Sequence, residues 1–321
     1  MRIVFHGANA ASFAPGFAAL LDPGAEVETL SDALDAPGER DAYAAAEAVI
    51  GVRFDTDLPS PGRLRLFQVP GAGTDAVRFD ALPPQAAVCN CFGHEAAIAE
   101  YVMAALLQWQ IPMAEADRRL RRGEWAYWAG DPARAHGELA GRTLGLLGFG
   151  HIARAVARRA RAFDMRVHVA NRSPLPAGAE VDRAQGLDDL PGFCRDVEAL
   201  VVTVPLSSET RGLVGEAALA ALPHGALVVN VARGPVIDEQ ALYDALAAGR
   251  VQAAIDTWYR YPSAPEPAPL PAALPFHTLP NLVMTPHMSG WTDGTIRRRQ
   301  RAMADNVNRL RRGEPLVNRL R

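Results

Sequence analysis

Short apolar runs alternate with helical patterns along almost the whole chain, and no other feature limits its fold so tightly. "RIVFHG", "AVIGVRF", "LRLFQV" and "AAVCN" read as strands of one parallel sheet with helices between them. "TLGLLG", "RVHVA", "EALVVTV", "ALVVNV", "VQAAID" and "NLVMT" form a second set. A strand with one face in water alternates apolar and polar residues, whereas these runs are apolar nearly throughout, so both faces must be covered. The pattern predicts an α/β protein of two doubly wound parallel-sheet domains, Rossmann-like or flavodoxin-like, with a cleft between them. A chain of 321 residues is long enough for two such units.

Between the two sets lies "HEAAIAEYVMAALLQWQ", a long helix pattern with an apolar face. Near the end comes "DGTIRRRQRAMADNVNRLRRGE", an amphipathic helix that stops at glycine and whose arginines read as a solvated face. The last residues, "PLVNRL", have no sheet of their own in the second set, so the C-terminal helix is expected to return to the first unit. The predicted division is 1–92 plus 294–321 for a discontinuous first domain and 93–293 for the second. The proline-dense stretch 262–275, "PSAPEPAPLPAALP", reads as a surface loop.

Composition removes several function classes. The net charge of −3 offers no basic field for nucleic acid or an anionic membrane. All 33 basic residues are arginine, which excludes a Schiff-base lysine and a Walker-type phosphate lysine. Cys89, Cys91 and Cys194 form neither a disulfide framework nor a metal-ligand set, and they read as buried free thiols. The start "MRIVFHG" reads as a first strand and not as a signal peptide, and no apolar run approaches the ~20 residues that cross a bilayer. The expected setting is cytoplasmic.

"TLGLLGFGHIARAVARRARAF" puts Gly148, Phe149, Gly150, His151, Ile152 and Ala153 between an apolar strand and a helix. The spacing alone is weak evidence, but these flanks give it a mechanism. Gly148 permits a tight turn, Gly150 lets a pyrophosphate approach backbone amides, and Ala153 allows close helix–strand packing. The free N–H groups and positive dipole end of the helix then face the phosphates. About twenty residues on, an acid usually binds the ribose hydroxyls. Asn171, Arg172 and Ser173 stand there instead. Asn171 removes a charge that would repel a 2′-phosphate, Arg172 supplies a fork-shaped cation, and Ser173 adds a donor. NADP(H) is therefore favoured over NAD(H), the other outcome being an Arg172 directed to solvent and weak NAD(H) binding. No metal is expected.

Three stretches place polar residues just beyond apolar strands, where doubly wound sheets bind ligands: "VVNVARGPVIDEQAL", "VQAAIDTWYRYP" and "LPNLVMTPHMSGWT". Together with "ELAGRTLGLLGFGHIA" and "VTVPLSSETRGLVG", they closely resemble the D-isomer-specific 2-hydroxyacid dehydrogenases. That family includes glyoxylate/hydroxypyruvate reductases, phosphoglycerate dehydrogenase and formate dehydrogenase. The match is dense from about residue 90 to 292 and looser before it. Reduction of a 2-oxo acid needs a cation that holds the carboxylate and polarises the carbonyl, and it needs a proton donor. Arg233 suits the first task and His287 the second. The resemblance further implies that Val204, Pro205, Thr210, Val231, Ala232, Asp256 and Gly290 line the cofactor site. It implies that Gly71, Ala72 and Gly73 of "VPGAGTDAV" offer backbone amides to the substrate anion as a nest does.

The pattern departs from the family at one position. Most members pair the histidine with a glutamate five residues after the strand-end aspartate, and here that count from Asp256 reaches Tyr261. Formate dehydrogenases carry a neutral glutamine at this place. Counting back from "LPN" brings Glu266 closer to the missing acid, but the forward count carries more weight because the insertion is proline-rich. With a tyrosine partner the histidine's pKa is expected to lie lower and activity to favour a more acidic pH. His94 falls about where formate dehydrogenase has a substrate-binding asparagine. Trp258 and Trp291 are expected to flank the pocket, and Trp125 and Trp128 to serve packing or a dimer contact. The sequence thus implies an NADPH-dependent reductase of a small 2-oxo acid of glyoxylate or hydroxypyruvate type, with a homodimer expected from the family. The alternatives are oxidation of another small anion and a dinucleotide-sensing binding protein without chemistry.

Overall fold

The computed structural model describes residues 1–175, 177–263 and 266–321. They form two compact units, Met1–Gly93 with Thr292–Arg321, and His94–Trp291. Both are α/β.

In the first unit, β1 (Arg2–His6), β2 (Glu26–Leu30), β3 (Ala48–Gly51), β4 (Leu66–Gln68) and β5 (Ala87–Cys89) form one sheet. The order is β2-β1-β3-β4-β5, the flavodoxin-like arrangement, and each neighbouring pair is parallel. Ile3, Val4 and Phe5 are fully buried, and their alternating side chains feed two separate apolar layers. One layer is closed by Met303, Ala304 and Val307 of the helix Asp293–Arg312. The sequence specifies both ends of that helix. Thr292 Oγ1 accepts from Thr295 N at 3.1 Å, and Gly313 stops the helix at φ 71°. The tail then runs antiparallel beside β5, with Leu320 N donating to Val88 O at 2.7 Å. Strand β2 was missed from the sequence because "EVETL" is a mostly exposed edge strand, with little apolar signal to read.

His6 ends β1 almost wholly buried against Tyr43, their rings edge to face at 5.0 Å. Desolvation by burial pushes its pKa below the ordinary 6.5, with opposing help for the cation from Asp32. The unfolded chain therefore takes up a proton at a pH where the folded chain does not. Stability is full above about 6.5 and falls as the pH drops through the folded pKa. We expect the Tm to fall between pH 7.5 and 5, and His6→Asn to flatten that slope. An unchanged slope in the variant would show that His6 is not the responsible group.

The second unit has seven strands: β6 (Thr143–Leu147), β7 (Arg166–Ala170), β8 (Arg183–Gln185), β9 (Ala199–Val202), β10 (Ala226–Asn230), β11 (Val251–Ile255) and β12 (Leu282–Met284). Their order is β12-β11-β10-β9-β6-β7-β8, parallel throughout, with the reversal of direction between β6 and β9. Two apolar clusters cover the two faces, one containing Leu106 of the helix Glu95–Gln110 and Val156 of the helix His151–Arg161. Strand β8, "RAQ", was also missed, and for the reason that hid β2: it is a short polar edge strand. Of the stretch 262–275, residues 264 and 265 lie outside the described residues. The remainder forms neither helix nor strand and is mostly exposed, with Ala272 buried. Because all seven strands are parallel, their carboxyl ends share one edge of the sheet, and the candidate site stands in the loops that follow them.

Candidate active site

The glycine turn follows β6. Gly148 has φ 90°, and a Cβ on it would lie 2.8 Å from Val204 Cγ1, so this position admits only glycine. A Cβ on Gly150 would meet nothing within 4 Å, and the helix His151–Arg161 starts there with no side-chain cap. Open space in front of an uncapped helix start is what a pyrophosphate requires, so these residues fit a dinucleotide. Phe149 and Ile152 flank the turn, and Ala153 is fully buried under it.

Asn171 does more than remove a charge. Its Oδ1 accepts from Phe149 N at 3.2 Å and its Nδ2 donates to Ser173 O at 2.7 Å, tying the end of β7 to the glycine turn. Arg172 is 80% exposed and its Nη1 lies 3.4 Å from Glu209, itself 71% exposed. After β9, the Thr210 hydroxyl donates to Pro205 O at 2.6 Å and accepts from Ser207 N, which shapes that loop from within. Val204, Val231 and Ala232 are buried at the strand ends.

Beyond β12 the chain turns through Thr285, Pro286 and His287. His287 is exposed and has φ 58°, a left-handed conformation that costs a non-glycine residue roughly 1–2 kcal/mol. The fully buried carboxylate of Asp256 offsets that cost. It accepts from Met288 N at 2.8 Å, Ser289 N at 2.9 Å and Thr285 Oγ1 at 2.6 Å. Tyr101 reaches Thr285 Oγ1 from the helix Glu95–Gln110 at 2.8 Å. Asp256 was expected to touch the cofactor. The structure instead leaves it no exposed surface and turns both oxygens to the segment that carries His287.

The histidine's partner is tyrosine. Tyr261 Oη lies 3.0 Å from His287 Nδ1 and accepts from Trp258 N at 3.1 Å. With an acceptor position of the phenol taken by that amide, its own proton can go to Nδ1, which holds the ring proton on Nε2. Glu266 exchanges backbone hydrogen bonds with Ser263. Trp258 is a correction to the expected pocket wall. It is buried against Phe276 with rings 6.0 Å apart, and its Nε1 donates to Thr285 O at 2.8 Å, so it braces the turn from inside. Trp291 is exposed.

Arg233 follows β10, half-buried, with its carbonyl held by Asn230 Nδ2 at 3.0 Å and its Nη1 on Ala232 O at 2.8 Å. His94 is buried at the head of the helix Glu95–Gln110, its Cβ 3.5 Å from where a Cβ on Gly290 would stand. It therefore adjoins the turn of His287. In the first unit, Gly71 O accepts from Cys91 N at 3.0 Å and Ala72 O from Asn90 Nδ2 at 2.9 Å. A trans peptide sets C=O and the next N–H antiparallel, so the amides of Ala72 and Gly73 point away from these anchors. Gly71 is not left-handed, and the tethered carbonyls aim the loop's amides.

Sequence reasoning missed Tyr101, Thr285 and the bracing part of Trp258. A tyrosine within an apolar helix pattern carries no sign of its distant partner. Among the described residues, no group of three or more histidine, cysteine or acidic side chains could hold a metal ion, and no helix is long and apolar enough to cross a membrane. The three cysteines are buried thiols that form no disulfide with one another.

Fold and turn geometry together define a doubly wound protein of the dinucleotide-binding class. Residues 103–289 match the model of the D-isomer specific 2-hydroxyacid dehydrogenase, NAD binding domain. The chain belongs to the D-isomer specific 2-hydroxyacid dehydrogenase family. It is 33% identical to the D-3-phosphoglycerate dehydrogenase of Methanocaldococcus jannaschii over 69% of this chain, a match that spans only 40% of that relative's length. It is 32% identical to the glyoxylate/hydroxypyruvate reductase B of Pectobacterium atrosepticum, over 82% of this chain and 80% of the relative. A crystal structure of a D-isomer specific 2-hydroxyacid dehydrogenase from Xanthobacter autotrophicus Py2, in complex with NADPH and MES, is 28% identical. It superposes with a TM-score of 0.80 and covers 100% of this chain and 98% of that one.

Proposed function

We propose that the chain is an oxidoreductase that reduces a small 2-oxo acid of glyoxylate or hydroxypyruvate type to the D-2-hydroxy acid, with NADPH preferred over NADH. The observation that carries this reading is the hydrogen bond between Tyr261 and His287 on a turn locked by buried Asp256, at the sheet edge that also bears the glycine turn and Arg233. When bound, the nicotinamide supplies the hydride. Gly148, Phe149, Gly150, His151 and Ile152 would hold its pyrophosphate side, and the loops of Val204, Pro205, Thr210, Val231, Ala232 and Gly290 would line the rest. Arg233 binds the substrate's carboxylate and polarises its carbonyl. His287, protonated on both ring nitrogens, gives its Nε2 proton to the forming alkoxide and is left neutral, with its Nδ1 beside Tyr261 Oη. Gly71, Ala72, Gly73 and His94 would add polar contacts to the same anion.

NADPH is favoured because no carboxylate ends β7, while Arg172 stands there 80% exposed beside an exposed glutamate. The relative from Xanthobacter autotrophicus, described with NADPH, supports the same preference. Initial rates with both cofactors and a panel of 2-oxo acids test the reading. Arg172→Ala is expected to raise the KM for NADPH by about 10- to 100-fold and to leave that for NADH unchanged, since a hydrogen bond to a charged group contributes roughly 1.5–3 kcal/mol. An equal KM change for both cofactors would remove the 2′-phosphate assignment. The neutral partner of His287 supports a second reading, oxidation of another small anion, which the same panel run with NADP⁺ separates. Tight cofactor binding without turnover would indicate a sensor. We further infer a homodimer, because Trp125 and Trp128 leave 64% and 67% of their surface exposed, and sedimentation of the purified chain checks it.

A further inference from the structure

The helix Asp293–Arg312 brings a cation to the loop of Gly71, Ala72 and Gly73 within the first unit. The carbon and both terminal nitrogens of the Arg299 guanidinium lie 3.8–3.9 Å from where a Cβ on Gly71 would stand. Three atoms at almost one distance mean that the face of the group lies over Gly71. Arg299 is half-buried and its neighbour Arg298 is fastened to Gly93 O at 2.7 Å, so the helix turn that presents it is fixed against the unit. The adjoining amides of Ala72 and Gly73 are turned outward by the tethers on the carbonyls of Gly71 and Ala72. A guanidinium fork beside two outward amides matches a carboxylate.

We propose that Arg299 is a specificity-determining residue, forming with the Ala72 and Gly73 amides a carboxylate subsite carried by the first unit. The inference rests on the reductase reading for its substrate, a 2-oxo acid.

The test is oxalate, titrated calorimetrically into the NADPH-loaded protein, together with the kinetics of glyoxylate and its ethyl ester. Arg299→Met should weaken oxalate by about 10- to 100-fold and raise the KM for glyoxylate similarly. It should leave the KM for NADPH and the turnover of the ester unchanged, and Arg299→Lys should recover part of the loss. Unchanged oxalate affinity, no oxalate binding by the wild type, or equal losses for acid and ester would overturn the subsite. If the wild type reduces no 2-oxo acid while Arg299→Met still loses oxalate, the subsite stands and the reductase reading falls. If 2-oxo acids are reduced and oxalate is indifferent to Arg299, the reverse holds.

Discussion

His287→Ala is expected to lower kcat by about 10²–10⁴-fold, the usual contribution of a positioned acid–base group, with the KM for NADPH little changed. The ring is presented at φ 58° on a turn whose amides are fastened to Asp256, so its loss removes a proton donor from a support that stays in place. A variant that keeps a tenth of wild-type kcat would exclude His287 as the acid. The partner makes a second, sharper measurement possible. Tyr261 is neutral and already accepts from Trp258 N, so it offers an imidazolium far less than a carboxylate would. Tyr261→Glu puts a negative charge beside Nδ1, which stabilises the protonated ring and raises its pKa. The limb of the pH–rate profile on which activity is lost with rising pH should therefore move to higher pH in the variant. A shift to lower pH, or none, would mean that the hydroxyl does not govern the titration.

Gly234→Ala is the second large effect. A Cβ there would stand 2.4 Å from the carbonyl carbon and oxygen of Trp258 and 2.9 Å from Tyr259 N, all of them backbone atoms that no rotamer change can clear. Overpacking a core typically costs about 1–3 kcal/mol, and a clash with backbone falls at or above the upper end. The strain has to separate two strand ends held in register, Asn230 opposite Ile255. Arg233 lies on one side of that contact and the segment reaching Tyr261 on the other, so activity should fall more steeply than stability. Thermal unfolding and kcat measured on one preparation check this, and wild-type values for both would refute it.

How much of the site was legible depends on how local each signal is. The glycine turn could be read because the spacing of Gly148, Gly150 and Ala153 between an apolar strand and a helix is a local pattern, although the atoms that demand Gly148 belong to Val204. Asn171 was read as a missing charge, but its bond to Phe149 N closes across two strands and leaves no mark on the local pattern. Gly234 gave no warning for the same reason, since the atoms that demand a glycine belong to residues 258 and 259. The edge strands β2 and β8 were invisible because they bury little, and burial is what writes a strand into the sequence.

The alternation of apolar runs and the order of motifs determined from the sequence alone that the chain would build two parallel, doubly wound sheets, and which loops would carry Arg233 and His287. Those signals survive because backbone periodicity and helix capping act over a handful of residues. The tertiary structure decided that Tyr261 stands at the imidazole, that Asp256 lies beneath the turn and that Arg299 covers Gly71. Each of these pairs residues far apart in the chain, and only packing in three dimensions brings their atoms within hydrogen-bonding or van der Waals reach.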